Sequence, residues 1–498
     1  MPSDLAQLNA AGGRVRGPDY DRRAVATGII HLGLGSFHRA HQAMYTDATL
    51  AQDSSWGICG VSLRSAGVVD ALRRQDHLYT LLARGPEATQ ARIIGSVHRT
   101  LGVADGMQAV IGRIAAQATR IASLTITEKA YCHHPATGRL DTAHPQIAHD
   151  LAHAGDRDAW PQSALGVLLR GLAARMAHGT PLSILCCDNL PHNGATLRGL
   201  VLEFAGMTNQ RLARWIETEL TFPSTMVDRI VPAASADAIA IARDFGLDDA
   251  IPVSTEPFSQ WVIEDHFAAG RPAWQDAGAQ LVTEVAPFEL MKLRLLNGAH
   301  SCMAYLGHLA GHEYVHQVIS DPLFAAAIER LWRELVPTLP PALASMPGVD
   351  IAAYQRALMQ RFRNPALQHR TWQIAMDGSQ KLPQRLLNAA RERLLHNQGV
   401  DSIALAVAGW MRYVAGRDDQ GNNIDVRDPL ATQCAAIAAV ANGDCDALGR
   451  GLLGLASIFG DDLPHDPRFV DALLGWLRPL ALDGVRATLA RAAGGAAS

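Results

Sequence analysis

A lysine, an asparagine and a histidine, Lys292, Asn297 and His300, interrupt an otherwise apolar segment that also carries Glu289. In a regular α-helix from residue 288, about 3.6 residues per turn would place all four polar side chains within an arc of roughly 140°. Desolvation among apolar neighbours disfavours the charged ammonium form, so that Lys292 can act as a general base. The alternative is a surface lysine whose stem covers apolar surface, beside a helix-end Asn-Gly pair and a core histidine.

The polar groups around the lysine are suited to a reacting oxygen. The Asn297 amide can donate to an oxygen that gains negative charge, and His300 can orient the same hydroxyl or carbonyl. Asn189 follows an apolar strand candidate, at the edge where open α/β sheets bind ligands, and can supply a second donor. The alternative for Asn189 is an Asx turn before Pro191. The pattern indicates proton transfer at a hydroxyl or carbonyl.

Composition restricts the partners of this chain. With 498 residues, two or three domains are expected. The 48 acidic and 44 basic residues nearly balance, and no basic block occurs, which argues against nucleic acid or an anionic membrane as partner. A small neutral or acidic molecule fits better. The oligomeric state stays open.

The N-terminal residues and the spacing of the cysteines do not indicate export. The first residues lack a continuous apolar run, and no later run reaches the roughly 18 residues of a membrane span, so a cytoplasmic protein is expected. The seven cysteines are scattered without C-x-x-C spacing, as is typical of reduced thiols. We expect neither a disulfide framework nor a cysteine-zinc site.

Strand and helix patterns alternate in the first half of the chain. A β-branched run ends in glycine near residue 34 and is followed by a helical pattern over residues 36–50. This alternation predicts an α/β fold with a mainly parallel, doubly wound sheet of the Rossmann type. The strand candidates are residues 24–34, 57–63, 78–83, 91–97, 120–126 and 181–187.

The second half is predicted to be an all-helical domain. Helical periodicity extends over residues 325–336, 351–362, 402–414 and 430–442. Because proline suits the first turn of a helix, we place the junction at Pro287. The prediction is a nicotinamide-cofactor domain over residues 1–286 and a substrate and catalytic domain over residues 287–498. The site would then open the second domain and face the first across a cleft.

A glycine pair follows the first strand candidate. Gly33 and Gly35 can form the tight turn that admits a pyrophosphate at a helix N-terminus, although the third glycine of the usual fingerprint is missing and such pairs also arise by chance. The second strand ends at Arg64 rather than at the acidic residue typical of NAD binding. Arg64 can bind the 2′-phosphate of NADP, or it is a solvated arginine. The choice between NAD and NADP as cofactor therefore stays open.

A rival motif is formed by His312 and His316, which match H-E-x-x-H, a helix-borne pair of zinc ligands in metallopeptidases. In the extended form of that motif a third histidine would stand at position 322, which holds proline. A zinc hydrolase is therefore a remote alternative, and no metal is expected at the main site.

Six segments together resemble the polyol-specific long-chain dehydrogenase/reductase family, also called the mannitol dehydrogenase family. The resemblance spans nearly the whole chain, and the K-x-x-x-x-N-x-x-H pattern is its most specific part. The segments are HLGLGSFHRAH (31–41), CDN (187–189), TFPSTMVDRIVP (221–232), EPFSQWVIEDHF (256–267), KLRLLNGAH (292–300) and DGSQKLP (377–383).

The resemblance implies metal-independent hydride transfer with a nicotinamide cofactor. In that family's pattern Lys292 is the general acid/base, Asn297 and Asn189 polarise the reacting oxygen, and His300 orients the substrate. The cofactor contacts implied are Gly33, Gly35, Ser36 and Phe37. Supporting positions near the substrate are Asp228, Glu128 and Lys381.

Within the family two branches compete. The segments TEKAYC (127–132) and RTWQIAMDGSQK (370–381) resemble fructuronate reductase, whereas NLPHNG (189–194) is nearer to mannitol 2-dehydrogenase. We therefore expect NAD(H)-dependent interconversion of D-fructuronate and D-mannonate, with a mannitol- or arabinitol-type dehydrogenase as the alternative. A uronate carboxylate needs a cation, for which Arg370 or Lys381 is the candidate.

Overall fold

The computed structural model describes residues 14–134, 137–156, 158–232, 236–346 and 349–494. The chain divides into two compact units, Met1–Ala286 and Pro287–Ser498. The first unit contains three sheets and their helices, and the described part of the second unit is helical. The predicted fold class, a Rossmann-type sheet followed by a helical region, is confirmed.

The described strands all lie in the first unit, and labels follow chain order. They are β1 Val15–Arg16, β2 Thr27–Leu32, β3 Gly57–Ser62, β4 Tyr79–Arg84, β5 Thr89–Ile94, β6 Val97–Gly102, β7 Ile121–Leu124, β8 Leu182–Cys186, β9 Leu220–Thr221, β10 Thr225–Asp228, β11 Val253–Thr255, β12 Gln260–Glu264 and β13 Gln280–Val282.

The largest sheet has the order β6-β3-β2-β7-β8-β9, and every pair in it is parallel. Counted along the chain within this sheet, the order is 3-2-1-4-5-6, which is the strand order of the Rossmann fold. The order in which successive strands are added reverses between β2 and β7. Because such sheets bind ligands at the carboxyl ends of the strands beside this reversal, the residues after β2 and β7 are expected to bind the ligand.

One predicted strand is divided between two sheets. The apolar run 91–97 reads as continuous, but β5 ends at Ile94 in a four-stranded sheet, β1-β5-β4-β11, and β6 begins at Val97 in the six-stranded one. The N–H of Gly95 donates to Asp47 Oδ1 at 2.9 Å, and Ser96 Oγ donates to the Ala43 carbonyl at 2.7 Å. These bonds to a helix redirect the chain, which the apolar pattern does not reveal.

The helix predicted over residues 36–50 is also divided. His41, with φ −120° and ψ −95°, separates two short helices, so the prediction of a single continuous helix was wrong.

A third, small sheet has the order β10-β12-β13. The α-helices of the first unit are Ser36–Ala40, Gln42–Asp47, Gly67–Arg74, Met107–Ala115, Pro145–Ala152, Ala164–Arg175, Asn193–Thr208, Gln210–Glu219 and Ala236–Asp244.

Helices of the second unit pack around Asp401–Val414, which is buried on nearly every face. The predicted helical segments are all present, with ends within a few residues of those expected. The helical segments are Ala286–Met291, Lys292–Asn297, Gly298–Leu309, Val315–Ser320, Pro322–Leu335, Ile351–Phe362, Thr371–Ala375, Gly378–Leu382, Pro383–Leu387, Asn388–Leu395, Asp401–Val414, Ala431–Ala441, Cys445–Leu453, Ala456–Phe459, Pro467–Leu482 and Gly484–Gly494. Over the described ranges, no helix has the length and apolar character needed to cross a membrane.

Candidate active site

The glycine turn after β2 has a geometry that only glycine permits. Gly33 has φ +103°, and a Cβ there would lie 2.0 Å from the Thr125 carbonyl oxygen. At Gly35 a Cβ would meet only the Gly33 oxygen, at 3.8 Å, so the outer side of the turn is open. The helix Ser36–Ala40 begins at once, and no side chain caps its first turn. The N–H groups of Gly33 and Leu34 donate to the Val61 carbonyl, and that of Gly35 donates to the Gly33 carbonyl. The N–H groups left for a ligand are therefore those of the first turn of the helix that follows.

Hydrogen bonds among buried polar side chains hold this turn in place. His31 hydrogen-bonds through Nδ1 to Ser123 Oγ and through Nε2 to Thr125 Oγ1, both at 2.8 Å. Thr125 in turn donates to the Gly33 carbonyl at 2.8 Å. Burial lowers the pKa of His31 to about 3, so the ring is neutral at pH 7. The network joins the end of β2 to the end of β7 at the reversal of strand order.

These features fit a nicotinamide dinucleotide, because the turn admits a close pyrophosphate and lies at the edge where Rossmann sheets bind it. Phe37 is half-buried and stacks on His41, with ring centroids 5.1 Å apart. Arg64 is exposed just beyond β3, at the position where an acidic residue would meet the ribose hydroxyls. The first unit therefore brings Gly33, Gly35 and Arg64 to one edge of the sheet.

The same edge carries two further predicted residues, Glu128 and Asn189, both exposed. Asp188, beside Asn189, accepts hydrogen bonds from the N–H groups of residues 126–127 at 2.8 and 3.2 Å and from Tyr131 Oη at 2.7 Å. Burial raises the pKa of Asp188, and the bonds it accepts oppose that rise. Asp188 therefore joins the loop that bears Glu128 to the loop that bears Asn189, a role that the sequence did not indicate.

Asp228 is buried at the end of β10, in the small sheet. The start of that strand is bonded to the region after β8: Asn193 Nδ2 donates to the Thr225 carbonyl at 2.8 Å, and Thr225 Oγ1 donates to the Cys186 carbonyl at 2.7 Å. The position of Asp228 is therefore linked through its own strand to the large sheet.

In the second unit, the segment with Lys292 is not the regular helix that was predicted. Residues 292–297 form a π-helical turn between the α-helices Ala286–Met291 and Gly298–Leu309. The N–H of Gly298 donates to the Leu293 carbonyl, five residues earlier. In an α-helix residues five apart point about 140° apart, whereas i→i+5 bonding stacks them. The π turn thus places Asn297 over Lys292 more directly than a regular helix would.

Donors from other segments satisfy carbonyls in and after the π turn. Trp332 Nε1 donates to the Leu295 carbonyl at 2.9 Å. Arg385 Nη1 donates to the Asn297 carbonyl at 3.4 Å and to Ser301 Oγ at 3.1 Å. Because buried carbonyls without partners are costly, these donors stabilise a helical form that is otherwise rare.

Lys292 is 9% exposed and His300 is 7% exposed. The His300 ring packs on Phe362 and His369, with centroid distances of 4.9 and 5.2 Å. Burial holds the pKa of His300 well below its usual value, and nearby His369 and cations, among them Arg385 and Lys292, lower it further. His300 is therefore neutral. Its Nε2 is buried and has no hydrogen-bond partner among the residues that the structure describes.

The two carboxylate candidates differ in their surroundings. Lys381 is half-buried, donates to the Ile374 and Met376 carbonyls, and lies near enough to His369 to lower the pKa of that ring. The Arg370 side chain is 56% exposed and pairs with Glu313 at 2.7 Å. His369 itself was missed. It immediately precedes the quoted segment 370–381, but nothing in its spacing connects it with His300.

The rival zinc motif does not lie on one helix. The helix Val315–Ser320 begins after Glu313, and His312 lies before it with its ring against Phe324, at a centroid distance of 5.4 Å. The remote alternative, a helix-borne pair of His312 and His316, therefore lacks its structural basis. Within the described ranges, no group of three or more His, Cys, Asp or Glu side chains is placed to hold a metal ion.

Comparison with known proteins accounts for both units. The Rossmann domain of mannitol dehydrogenases matches residues 27–276, and their C-terminal domain matches residues 284–478. This chain belongs to the mannitol dehydrogenase family. It is therefore an oxidoreductase that acts on CH–OH groups.

Relatives within the mannitol dehydrogenase family align over nearly their whole length. The Escherichia coli K12 oxidoreductase YeiQ is 47% identical, over 92% of this chain and 93% of its own. D-mannonate oxidoreductase of the same organism is 45% identical, over 95% and 97%. The solved structure of Pseudomonas fluorescens mannitol 2-dehydrogenase, a ternary complex with NAD and D-mannitol, is 38% identical with a TM-score of 0.84, over 98% and 99%.

Proposed function

We propose that this protein interconverts D-mannonate and D-fructuronate with NAD, the first unit binding the cofactor and the second carrying the catalytic helix. The observation that carries the proposal is the π turn that begins at the buried Lys292 and ends at Asn297, with His300 in the following helix. D-mannonate oxidoreductase, at 45% identity, supports a sugar acid as substrate.

The cofactor is NAD, as in the solved relative, and the turn at Gly33 and Gly35 fits it. When bound, NAD supplies the redox chemistry by accepting a hydride from the carbinol carbon or returning one to the carbonyl carbon. In this proposal Ser36 and Phe37 contact the cofactor beside the glycines. Arg64, exposed after β3, is proposed to face the ribose end of the cofactor.

Lys292 moves the proton. In the oxidation its neutral amine takes the hydroxyl proton of the substrate, and in the reduction the ammonium returns a proton to the developing alkoxide. Burial suits this role, because a desolvated lysine gives up its charge more readily than an exposed one. The amide of Asn297 donates to the same oxygen, and Asn189 is proposed as a second donor.

His300 orients the substrate through a ring nitrogen. Because the ring is neutral and Nε2 is buried, a substrate hydroxyl satisfies it better than an anion does. Lys381 is the better candidate for the carboxylate, since Arg370 is occupied in an exposed ion pair. Asp228 and Glu128 are proposed to have supporting roles in substrate binding.

A second candidate is oxidation of a neutral polyol, favoured by the D-mannitol bound to the Pseudomonas fluorescens relative. The deciding experiment measures kcat/KM for D-mannonate, D-fructuronate, D-mannitol, D-arabinitol and D-fructose with NAD(H) and with NADP(H), following the absorbance of the reduced nicotinamide. We expect the sugar acids to exceed the neutral compounds by at least about tenfold, because a hydrogen bond from the half-buried ammonium of Lys381 to a carboxylate is worth about 1.5–3 kcal/mol. A preference for mannitol or arabinitol would replace the sugar-acid proposal by the polyol one.

A further inference from the structure

Two histidine rings lie side by side in the second unit. The centroids of His300 and His369 are 5.2 Å apart and the rings are nearly perpendicular, at 88°. Each ring has one buried nitrogen without a hydrogen-bond partner in the described part of the chain. These atoms are Nε2 of His300 and Nδ1 of His369. Two unsatisfied ring nitrogens in one place indicate a polar ligand, since burying each without a partner costs about 1–3 kcal/mol.

The backbone holds His369 in place. Its carbonyl accepts from the Val315 N–H at 2.9 Å. Gln368, immediately before it, has φ +44°, and the helix Thr371–Ala375 follows two residues later. The ring is therefore presented to His300 by a fixed loop, and a ligand that binds both rings meets a preformed pair.

Both rings are neutral at pH 7. Burial, and to a lesser extent nearby Lys381, lowers the pKa of His369 to about 4. Burial and neighbouring His369, Arg385, Arg361 and Lys292 hold the pKa of His300 well below its usual value. A neutral imidazole carries one donor and one acceptor, which matches hydroxyl groups better than a carboxylate. The chemistry of the pair therefore indicates a chain of hydroxyls.

We infer that His369 is a substrate-binding residue which, together with His300, binds hydroxyl groups of the polyhydroxylated carbon chain of the substrate. This rests on the proposed function. Because a sugar acid and a polyol share those hydroxyls, His369 recognises the chain itself. The choice between a carboxylate and a CH₂OH end lies with other residues, so its loss reduces activity on both substrate classes equally.

The test compares two near-isosteric variants of the full-length protein, His369→Asn and His369→Leu. Asparagine keeps a polar atom near the position of Nδ1, and leucine does not. We expect His369→Leu to lower kcat/KM about tenfold for D-mannonate and for D-mannitol alike, the worth of one unsatisfied hydrogen bond. His369→Asn should retain most of the activity, and the Kd of NADH should not change in either. His396→Leu, at an exposed histidine of the same unit, is the matched control.

Unchanged kcat/KM in His369→Leu would overturn the inference, and so would a loss confined to one substrate class. Equal losses in the leucine and asparagine variants would also overturn it, because they would indicate a packing role. If His369→Leu lowers the thermal unfolding midpoint, His369→Phe takes its place in the comparison with His369→Asn. Phenylalanine keeps a ring against His300 but has no polar atom. A wild-type protein inactive on every sugar acid and polyol would instead reject the proposed function, and the inference with it.

Discussion

The glycine turn after β2 and the π turn at Lys292 differ in what fixes their geometry. At Gly33 the backbone conformation alone favours glycine, because φ is +103°, and a Cβ would in addition meet the backbone of Thr125. At the π turn, Trp332 and Arg385 donate to carbonyls 37 and 88 residues away along the chain. One site is therefore specified by residue type at its own position. The other depends on segments that meet only in the folded unit.

The two regions are therefore sensitive to different substitutions. A single methyl group at Gly33 disrupts the cofactor turn, whereas the catalytic helix is sensitive both to Lys292 itself and to distant donors that hold its register. The following experiments separate the two regions by measuring cofactor binding and turnover independently.

The largest effect is expected from Lys292→Ala. Turnover should fall by about 10² to 10⁴, the usual worth of a positioned acid or base, while the Kd of NADH stays near that of the wild type. Steady-state rates and fluorescence titration with NADH measure the two. A small primary amine added to the medium should restore part of the rate. Wild-type turnover in the variant would remove Lys292 from the mechanism.

Gly33→Ala, in contrast, should weaken the binding of the cofactor. The new methyl group meets the Thr125 carbonyl in a left-handed conformation, at a cost of about 2–4 kcal/mol, so NADH should bind about 10² more weakly. The matched control is Gly112→Ala, in the helix Met107–Ala115, where a Cβ meets nothing within 4 Å. That control should bind NADH normally. Equal affinities in both variants would contradict the role of the turn.

A pH effect is expected from the buried His31. Its pKa is about 3 in the folded protein and about 6.5 in an unfolded chain, so between these values the unfolded chain binds more protons. The free energy of unfolding should therefore fall as the pH falls through this window, by up to about 1.4 kcal/mol per pH unit.

His31→Gln should flatten this slope, and His465→Gln, at an exposed histidine, should leave it unchanged. Denaturant unfolding at several pH values between 4 and 7, roughly the range over which the slope develops, measures the difference. Parallel curves for wild type and His31→Gln would count against a neutral His31 in the native state.

The smallest effect is expected from Trp332→Phe, which removes the N–H that donates to the Leu295 carbonyl. Stability should fall by about 1 kcal/mol, and turnover should fall while NADH affinity is kept. Trp410→Phe is the control, since Trp410 Nε1 is buried in the same unit with no hydrogen-bond partner among described residues. A similar loss of turnover in both variants would show that ring volume matters rather than the donated bond.

Much of the fold could be predicted from the sequence because its signals are local. The alternation of strand and helix predicted the Rossmann-type sheet, and periodicity predicted helices such as Ile351–Phe362. The errors arose where side chains bond across distance. The run 91–97 is divided because Gly95 and Ser96 bond to a helix, and the H-E-x-x-H pattern spans the start of a helix instead of lying within one.

By itself, the sequence determined which residue types are present and in what order. The glycine pair after the first strand, and a lysine, asparagine and histidine within nine residues, can be read from the sequence alone. Only the tertiary structure decided that residues 292–297 form a π turn and that His369 meets His300. The physical reason is that helix register and ring contacts depend on hydrogen bonds and packing between segments distant along the chain, which no local pattern encodes.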